Sequence, residues 1–219
     1  MRLLTPPGVF RPRSDSRLLA ATVAGMIRPG GRVLDLCTGS GIVAVSAALA
    51  GAGEVTAVDL SRRAVATAWL NARRNGVAVR ARRGDLYAAV AGLRFDLIAT
   101  NPPYLPGAEA PARGAARAWE GGPDGRRFLD RIIDGAPAHL APGGVLLLLH
   151  SSVCGVEATL ARMDAAGLRG DVAVRERGPL GPLLSARADA LEERGLLAPG
   201  ERDEDVVVFR AAATQGARL

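Results

Sequence analysis

Asn101-Pro102-Pro103-Tyr104 follows directly on the apolar run Phe95-Asp96-Leu97-Ile98-Ala99-Thr100. A strand that ends in this tetrapeptide makes a rigid pocket for a planar nitrogen. The Asn side-chain carbonyl and the carbonyl of Pro102 can accept the two hydrogens of an amide or an aromatic amine. The Tyr104 ring can stack on its flat face. Asn-Pro also initiates turns readily, so a plain strand-ending turn is the competing reading until the neighbouring elements are weighed.

About 60 residues upstream lies Asp35-Leu36-Cys37-Thr38-Gly39-Ser40-Gly41, a Gly-rich loop between an apolar strand and a helix. Gly39 and Gly41 would let the backbone approach a ligand without Cβ interference. Loop and helix N–H groups suit a carboxylate, and Asp35 suits an ammonium group. Ala44 stands where the third glycine of the dinucleotide fingerprint would fall, so this loop alone also admits a nicotinamide enzyme. Asp59 ends the next strand, where a carboxylate can accept a bidentate pair from two ribose hydroxyls. Asp85 follows the third strand and could accept from an adenine amino group, with Leu86 beside the ring. Thr38, Leu60 and Asn101 complete the set of expected cofactor contacts. An N–H-accepting pocket has no use in hydride transfer. It suits methyl transfer from S-adenosylmethionine to nitrogen, with Asn101, Pro102 and Tyr104 as the residues that hold the acceptor.

Short apolar runs alternate with helical segments, which argues for a mostly parallel sheet covered by helices on both faces. The first helix is capped by Ser14 or Asp15 and stopped by Pro29-Gly30-Gly31. Strands are expected over 32–36, 54–58, 77–81, 95–100, 145–150, 172–175 and 206–210. Helices are expected over 42–50, from Ser61 to the Asn75-Gly76 stop, over 126–140, 156–166 and 185–194. Residues 105–125 read as a loop over the site, and 179–200 as an extra segment within a single domain spanning 1–219. The order of elements brings the end of the fourth strand to the crevice already marked by the first three.

The chain has 219 residues and is 48% hydrophobic, which suits one domain with a full core. No apolar run approaches the ~18 residues of a membrane span. Pro6-Pro7-Gly8 interrupts any signal-peptide core, which places the protein in the cytoplasm. The formal net charge of +6 raises nucleic acid as a partner. All 28 basic residues are Arg, however, and they are scattered among abundant Ala, Gly and Pro, a bias that GC-rich codons explain. Cys37 and Cys154 make no disulfide framework, and no Cys/His cluster has metal-ligand spacing. His139 and His150 read as core or surface residues.

These motifs resemble the class I S-adenosylmethionine-dependent methyltransferases, and among them the HemK-type protein-glutamine methyltransferases. The resemblance runs over about 9–149. It includes Val9-Phe10-Arg11-Pro12-Arg13-Ser14-Asp15-Ser16, where the family has an aromatic, Pro, then Glu-Asp-Thr. It also includes Ala118-Trp119-Glu120-Gly121-Gly122-Pro123-Asp124-Gly125. The resemblance implies a seven-stranded sheet of order 3-2-1-4-5-7-6 with the last strand antiparallel. It implies methylation of a glutamine side-chain amide, typically in the Gly-Gly-Gln tripeptide of release factors. It places Asp15 and Ser16 near the cofactor's carboxylate. The chain is similar to the short eukaryotic and archaeal branch, some members of which need a small zinc-binding partner subunit. Ser14 replaces the family's Glu, and the 179–200 segment is longer than in that branch. The same tetrapeptide serves DNA or RNA amino groups and small-molecule amines, so both remain as alternative acceptors, and a non-catalytic binding module is the reading from another class.

Overall fold

The computed structural model describes residues 1–108 and 114–213. Residues 109–113, inside the expected site loop, and the last six residues lie outside the described residues. One sheet of seven strands organises the chain: β1 (Arg32–Leu36), β2 (Glu54–Asp59), β3 (Arg80–Arg83), β4 (Phe95–Thr100), β5 (Leu140–Ser151), β6 (Leu168–Pro179) and β7 (Asp203–Ala213). Their order is β3-β2-β1-β4-β5-β7-β6. β7 runs antiparallel to both its neighbours, and the remaining pairs are parallel. This is the expected architecture.

The central strands are buried on both faces, so they read as apolar runs rather than alternations. Alternate residues serve two separate cores. Leu34, Leu36, Ile98, Leu146 and Leu148 pack with Leu129, Ile132 and Ile133 of α4 (Arg127–His139) and Met163 of α5 (Val156–Ala165). Val33, Ala57, Ala99, Leu147 and Leu149 pack with α1 (Ser14–Met26), α2 (Ile42–Leu49) and α3 (Arg62–Arg74). Burying two complete faces is what a period-2 strand demands when both sides carry helices.

Five elements differ from expectation in their bounds. β3 begins three residues later, because Val77 still belongs to the close of α3: its N–H donates to the Ala72 carbonyl. The paired segment is arginine-rich and mostly exposed, as befits a guarded sheet edge. β6 and β7 extend well beyond their apolar centres, since antiparallel pairing tolerates polar outward positions that hydropathy does not mark. β5 begins five residues early, at Leu140, which is in register with Phe95 of the parallel neighbour β4. The extra segment forms two short helices, α6 (Pro182–Ser185) and α7 (Ala188–Glu193), rather than one. Ser61 caps α3 as expected, its Oγ accepting from Ala64 N–H at 3.4 Å. α1 lacks a side-chain cap, and Ser14 and Asp15 lie inside it.

Candidate active site

β1 lies between β2 and β4, so the connections diverge at its C-terminal end and open a crevice there. Leu36 and Thr100 are register partners, and Thr100 Oγ1 donates to the Leu36 carbonyl at 3.0 Å. The two loops of interest therefore leave the sheet side by side. Above them lies a cleft of about 640 Å³, within the range of small-molecule sites. Asp35, Thr38, Gly39, Asp59, Leu60, Asp85, Leu86, Ser16 and Asn101 all line it.

Asp35 is buried at the floor. Thr38 Oγ1 donates to its Oδ2 at 2.5 Å, and Ala44 N–H donates to the same oxygen at 3.1 Å. Burial raises its pKa to about 7 against these two bonds. Such a carboxyl is poised to accept a cation, which would restore its charge. Asp59 holds the loop as well as lining the cleft. Its Oδ2 accepts from Gly39 N–H at 3.0 Å and its Oδ1 from Ser61 N–H at 2.8 Å. Burial raises its pKa too. The carboxylate keeps acceptor capacity beyond these bonds for a ligand hydroxyl.

The loop backbone is strained where it meets the cleft. Cys37 (φ 58°) and Leu86 (φ 48°) are non-Gly residues in the left-handed region, and both line the cleft. Such outliers concentrate at ligand sites. Gly41 also has a packing role that its loop position does not reveal. It is left-handed (φ 81°), and a Cβ there would lie 2.8 Å from Ala68 Cα and Cβ. It is absent from the cleft wall, and its small size lets α2 pack on α3. Asp85 is engaged by Arg131 of α4 at 2.8 Å, an exposed pair at the rim.

The tetrapeptide is organised by α1. Asn101 Nδ2 donates to Asp15 Oδ2 at 3.2 Å and to Ser16 Oγ at 3.1 Å. Both amide hydrogens are thereby used, so Asn101 can offer a ligand only its Oδ1 acceptor. The acceptor-only carboxylate of Asp15 fixes this orientation of the amide. Tyr104 O–H donates to the same Asp15 oxygen at 3.2 Å. Burial and the nearby Asp15 charge hold the Tyr104 phenol well above its usual pKa, so it stays a donor. Asp15 and Ser16, expected beside a cofactor carboxylate, meet the Asn101 amide in this arrangement.

A second layer supports Tyr104 from below. The Cys154 thiol donates to the Tyr104 carbonyl at 3.0 Å, and burial keeps that thiol protonated. Arg126 spans Cys154 O at 2.8 Å, Thr159 Oγ1 at 2.9 Å and Asp130 at 2.7 Å. His150 is fully buried, bonded to Thr159 Oγ1 at 2.8 Å and stacked on Phe209, and burial lowers its pKa to about 4. Its core role matches expectation. Gly125 closes the layer: at φ 80°, a Cβ would overlap the Tyr104 carbonyl and lie 2.7 Å from Cys154 Sγ. Gly125→Ala is therefore expected to destabilise the fold by about 2–4 kcal/mol, read in urea denaturation. An unchanged midpoint would refute this packing.

Several cleft residues escaped sequence reasoning. Val9 and Phe10 come from the N-terminal segment, Phe128 and Arg131 from α4, and Glu120 from the second loop. Val9, Phe10 and Glu120 lay within stretches that carry the family resemblance, which was the available signal. Arg131 had none, because a helical Arg is ordinarily a solvated one.

This fold, with an acceptor-only Asn beside a buried acidic floor, defines a class I methyltransferase scaffold. Residues 1–165 match the methyltransferase small domain, and the chain belongs to that family. Its relatives include proteins named as protein-glutamine methyltransferases. One from Methanocaldococcus jannaschii, provisionally named a protein N5-glutamine methyltransferase, is 33% identical over 86% of this chain and 95% of its own. The release factor glutamine methyltransferase of Bordetella pertussis is 44% identical over 74% of this chain and 64% of that enzyme. The chain thus spans almost all of the archaeal relative but under two thirds of the bacterial one. Among solved structures, a chain of the E. cuniculi Mtq2–Trm112 complex, responsible for methylation of the eRF1 termination factor, superposes with a TM-score of 0.64. That match has 21% identity over 94% of this chain and 99% of the other, and shows the shared fold.

Proposed function

We propose that the protein methylates the side-chain amide of a glutamine in a translation protein, of the release-factor Gly-Gly-Gln type, using S-adenosylmethionine. The observation that carries this reading is the Asn101 amide, whose two hydrogens are committed to Asp15 and Ser16. A primary amide brings two N–H donors and needs acceptors, which Asn101 Oδ1 and the Pro102 carbonyl supply.

The residues present fit the cofactor. Asp35 would take its ammonium group, since burial has left that acid in need of a cation. Asp59 would take the ribose hydroxyls. Leu60 is 46% exposed at the cleft and offers an apolar surface to a purine, with Leu86 as a further apolar lining residue. Asp85 would receive the exocyclic amine alongside its pairing with Arg131. When bound, S-adenosylmethionine supplies a methyl group on a positively charged sulfur.

The chain's residues then orient and shield. An amide nitrogen is a weak nucleophile, because its lone pair is delocalised into the carbonyl. Hydrogen bonds from its N–H groups to Asn101 Oδ1 and Pro102 O would hold the nitrogen in line and polarise it as positive charge develops. Tyr104, tied to Asp15, would cover the amide plane and exclude water. The proton can leave after transfer, so no strong general base is needed.

Incubation with methyl-labelled S-adenosylmethionine and competing acceptors tests the reading. Label is expected on a Gly-Gly-Gln release factor in preference to duplex DNA, RNA or a metabolite extract. Label on nucleic acid alone, with salt-sensitive binding, would move the acceptor to a base amino group. Because some short-branch members need a small zinc-binding partner, the assay includes the protein with and without such a subunit from the same source.

A further inference from the structure

The 179–200 segment, which the family resemblance leaves unexplained, ends on the acceptor loop. Leu180, Leu184, Ala188, Leu191 and Leu197 bury against one another and against Val153, with Leu105 packed on the cluster. Leu105 directly follows the tetrapeptide. From the turn between α6 and α7, Arg187 reaches into the same place. Its Nη1 donates to the Pro106 carbonyl at 2.7 Å, and its Nη2 pairs with Glu120 Oε1 at 2.6 Å. Arg194 adds a bond to the Pro123 carbonyl.

These contacts join two stretches of one loop. Leu105 bridges Glu120, with Leu105 N–H on the Trp119 carbonyl at 2.8 Å and Gly121 N–H on the Leu105 carbonyl at 2.9 Å. Gly107 N–H donates to the Gly122 carbonyl at 2.8 Å. Glu120 and Ala118 line the cleft beside Asn101 and Pro103. A guanidinium fork suits this task because it addresses a carbonyl and a carboxylate at once in fixed geometry. The Glu120 side chain is only 15% exposed, so the pair is partly shielded from water.

We propose that Arg187 is a positioning residue for the acceptor: it clamps residues 105–107 to 119–122, so that the inserted helices set the shape of the acceptor side of the cleft. The clamp rests on the methyltransferase reading above, because that reading assigns this side of the cleft to the acceptor. It touches neither Asp35 nor Asp59, so cofactor binding stands outside its reach.

Arg187→Ala, Arg187→Lys and Glu120→Gln test it in the full-length protein. Arg187→Ala is expected to raise KM for the Gly-Gly-Gln factor about tenfold, with kcat changed less than about threefold and cofactor Kd within about twofold. Arg187→Lys should recover part of the loss, because an ammonium can keep Glu120 but cannot fork to Pro106. Amide exchange at Leu105, Gly107 and Gly121 should quicken about tenfold in Arg187→Ala, with β4 and β5 unchanged. Glu120→Gln keeps the shape, removes the charge, and should give a smaller change in the same direction. Unmoved KM and unmoved exchange, in an active wild type, overturn the clamp and spare the acceptor reading. A wild type that leaves the factor unlabelled, with faster loop exchange in Arg187→Ala, overturns the acceptor reading and spares the clamp. Uniform loss of kcat, cofactor affinity and global stability in all three variants overturns positioning in favour of a merely structural role.

Discussion

Asn101→Ala is expected to lower methyl transfer by about 10³-fold or more, while cofactor affinity stays within about fivefold. The side chain supplies one of two acceptors for the reacting amide, and its own hydrogens are held by Asp15 and Ser16. Removing a preorganised polar group aimed at developing charge has effects of this size. Asp15→Asn gives the companion result. An Asn at position 15 can donate as well as accept, so the Asn101 amide loses the acceptor-only partner that fixes its orientation. A loss of about 10–100-fold is expected, again with cofactor binding kept. Single-turnover rates and calorimetry separate the two quantities. Equal losses of transfer and of cofactor affinity in both variants would assign the Asn101–Asp15 pair to cofactor binding instead.

Asp35→Asn should act in the opposite sense on stability and on binding. The wild-type carboxyl has a folded pKa raised to about 7 by burial. A raised pKa means that the group's contribution is fully present below the unfolded value near 4 and is lost as pH rises through about 7. A shift of that size corresponds to a cost of about 4 kcal/mol in the ligand-free protein at alkaline pH. An Asn carbonyl can still accept from Thr38 Oγ1 and Ala44 N–H, so the local bonds survive. The ligand-free variant is therefore expected to be about 1–3 kcal/mol more stable at pH 8, and to bind S-adenosylmethionine at least about tenfold more weakly.

His150 contributes a slope of the other sign. Its folded pKa of about 4 lies below the unfolded value near 6.5, so stability is lost as pH falls between them, by about 3 kcal/mol. The two slopes overlap between about pH 4 and 6.5 and offset each other in the wild type. Each emerges when the other is removed. Asp35→Asn should lose stability on acidification, and His150→Gln should gain it. Urea denaturation across this range reads both, and parallel profiles in the two variants would contradict the assignment.

Much of this architecture was legible because parallel strands buried on both faces are apolar runs with turn signals between them. β1, β2 and β4 could be placed almost to the residue, and with them the ends that carry Asp35, Asp59 and Asn101. β3 could not, since Val77 and Val79 supply apolar side chains while the exposed, Arg-rich stretch that follows makes the ladder. The acids of the cleft floor were visible from their position after each strand. The Asp15–Asn101–Tyr104 triad was not, because its members are 86 and 89 residues apart and only the sheet order brings α1 to β4. The packing role of Gly41 was hidden for a related reason. A glycine in a ligand loop and a glycine beneath a crossing helix look alike until Ala68 is placed against it. Arg187 was hidden among 28 arginines whose abundance composition alone explains.

The most direct test is to locate the methyl group. A Gly-Gly-Gln release factor is incubated with the protein and S-adenosylmethionine, digested, and sequenced by tandem mass spectrometry beside a version carrying Glu in place of that Gln. The account requires methyl on the side-chain amide nitrogen of the Gln, and none on the Glu version, whose carboxylate has no N–H to give Asn101 and Pro102. Methyl at any other residue, or equal methylation of both versions, would contradict it.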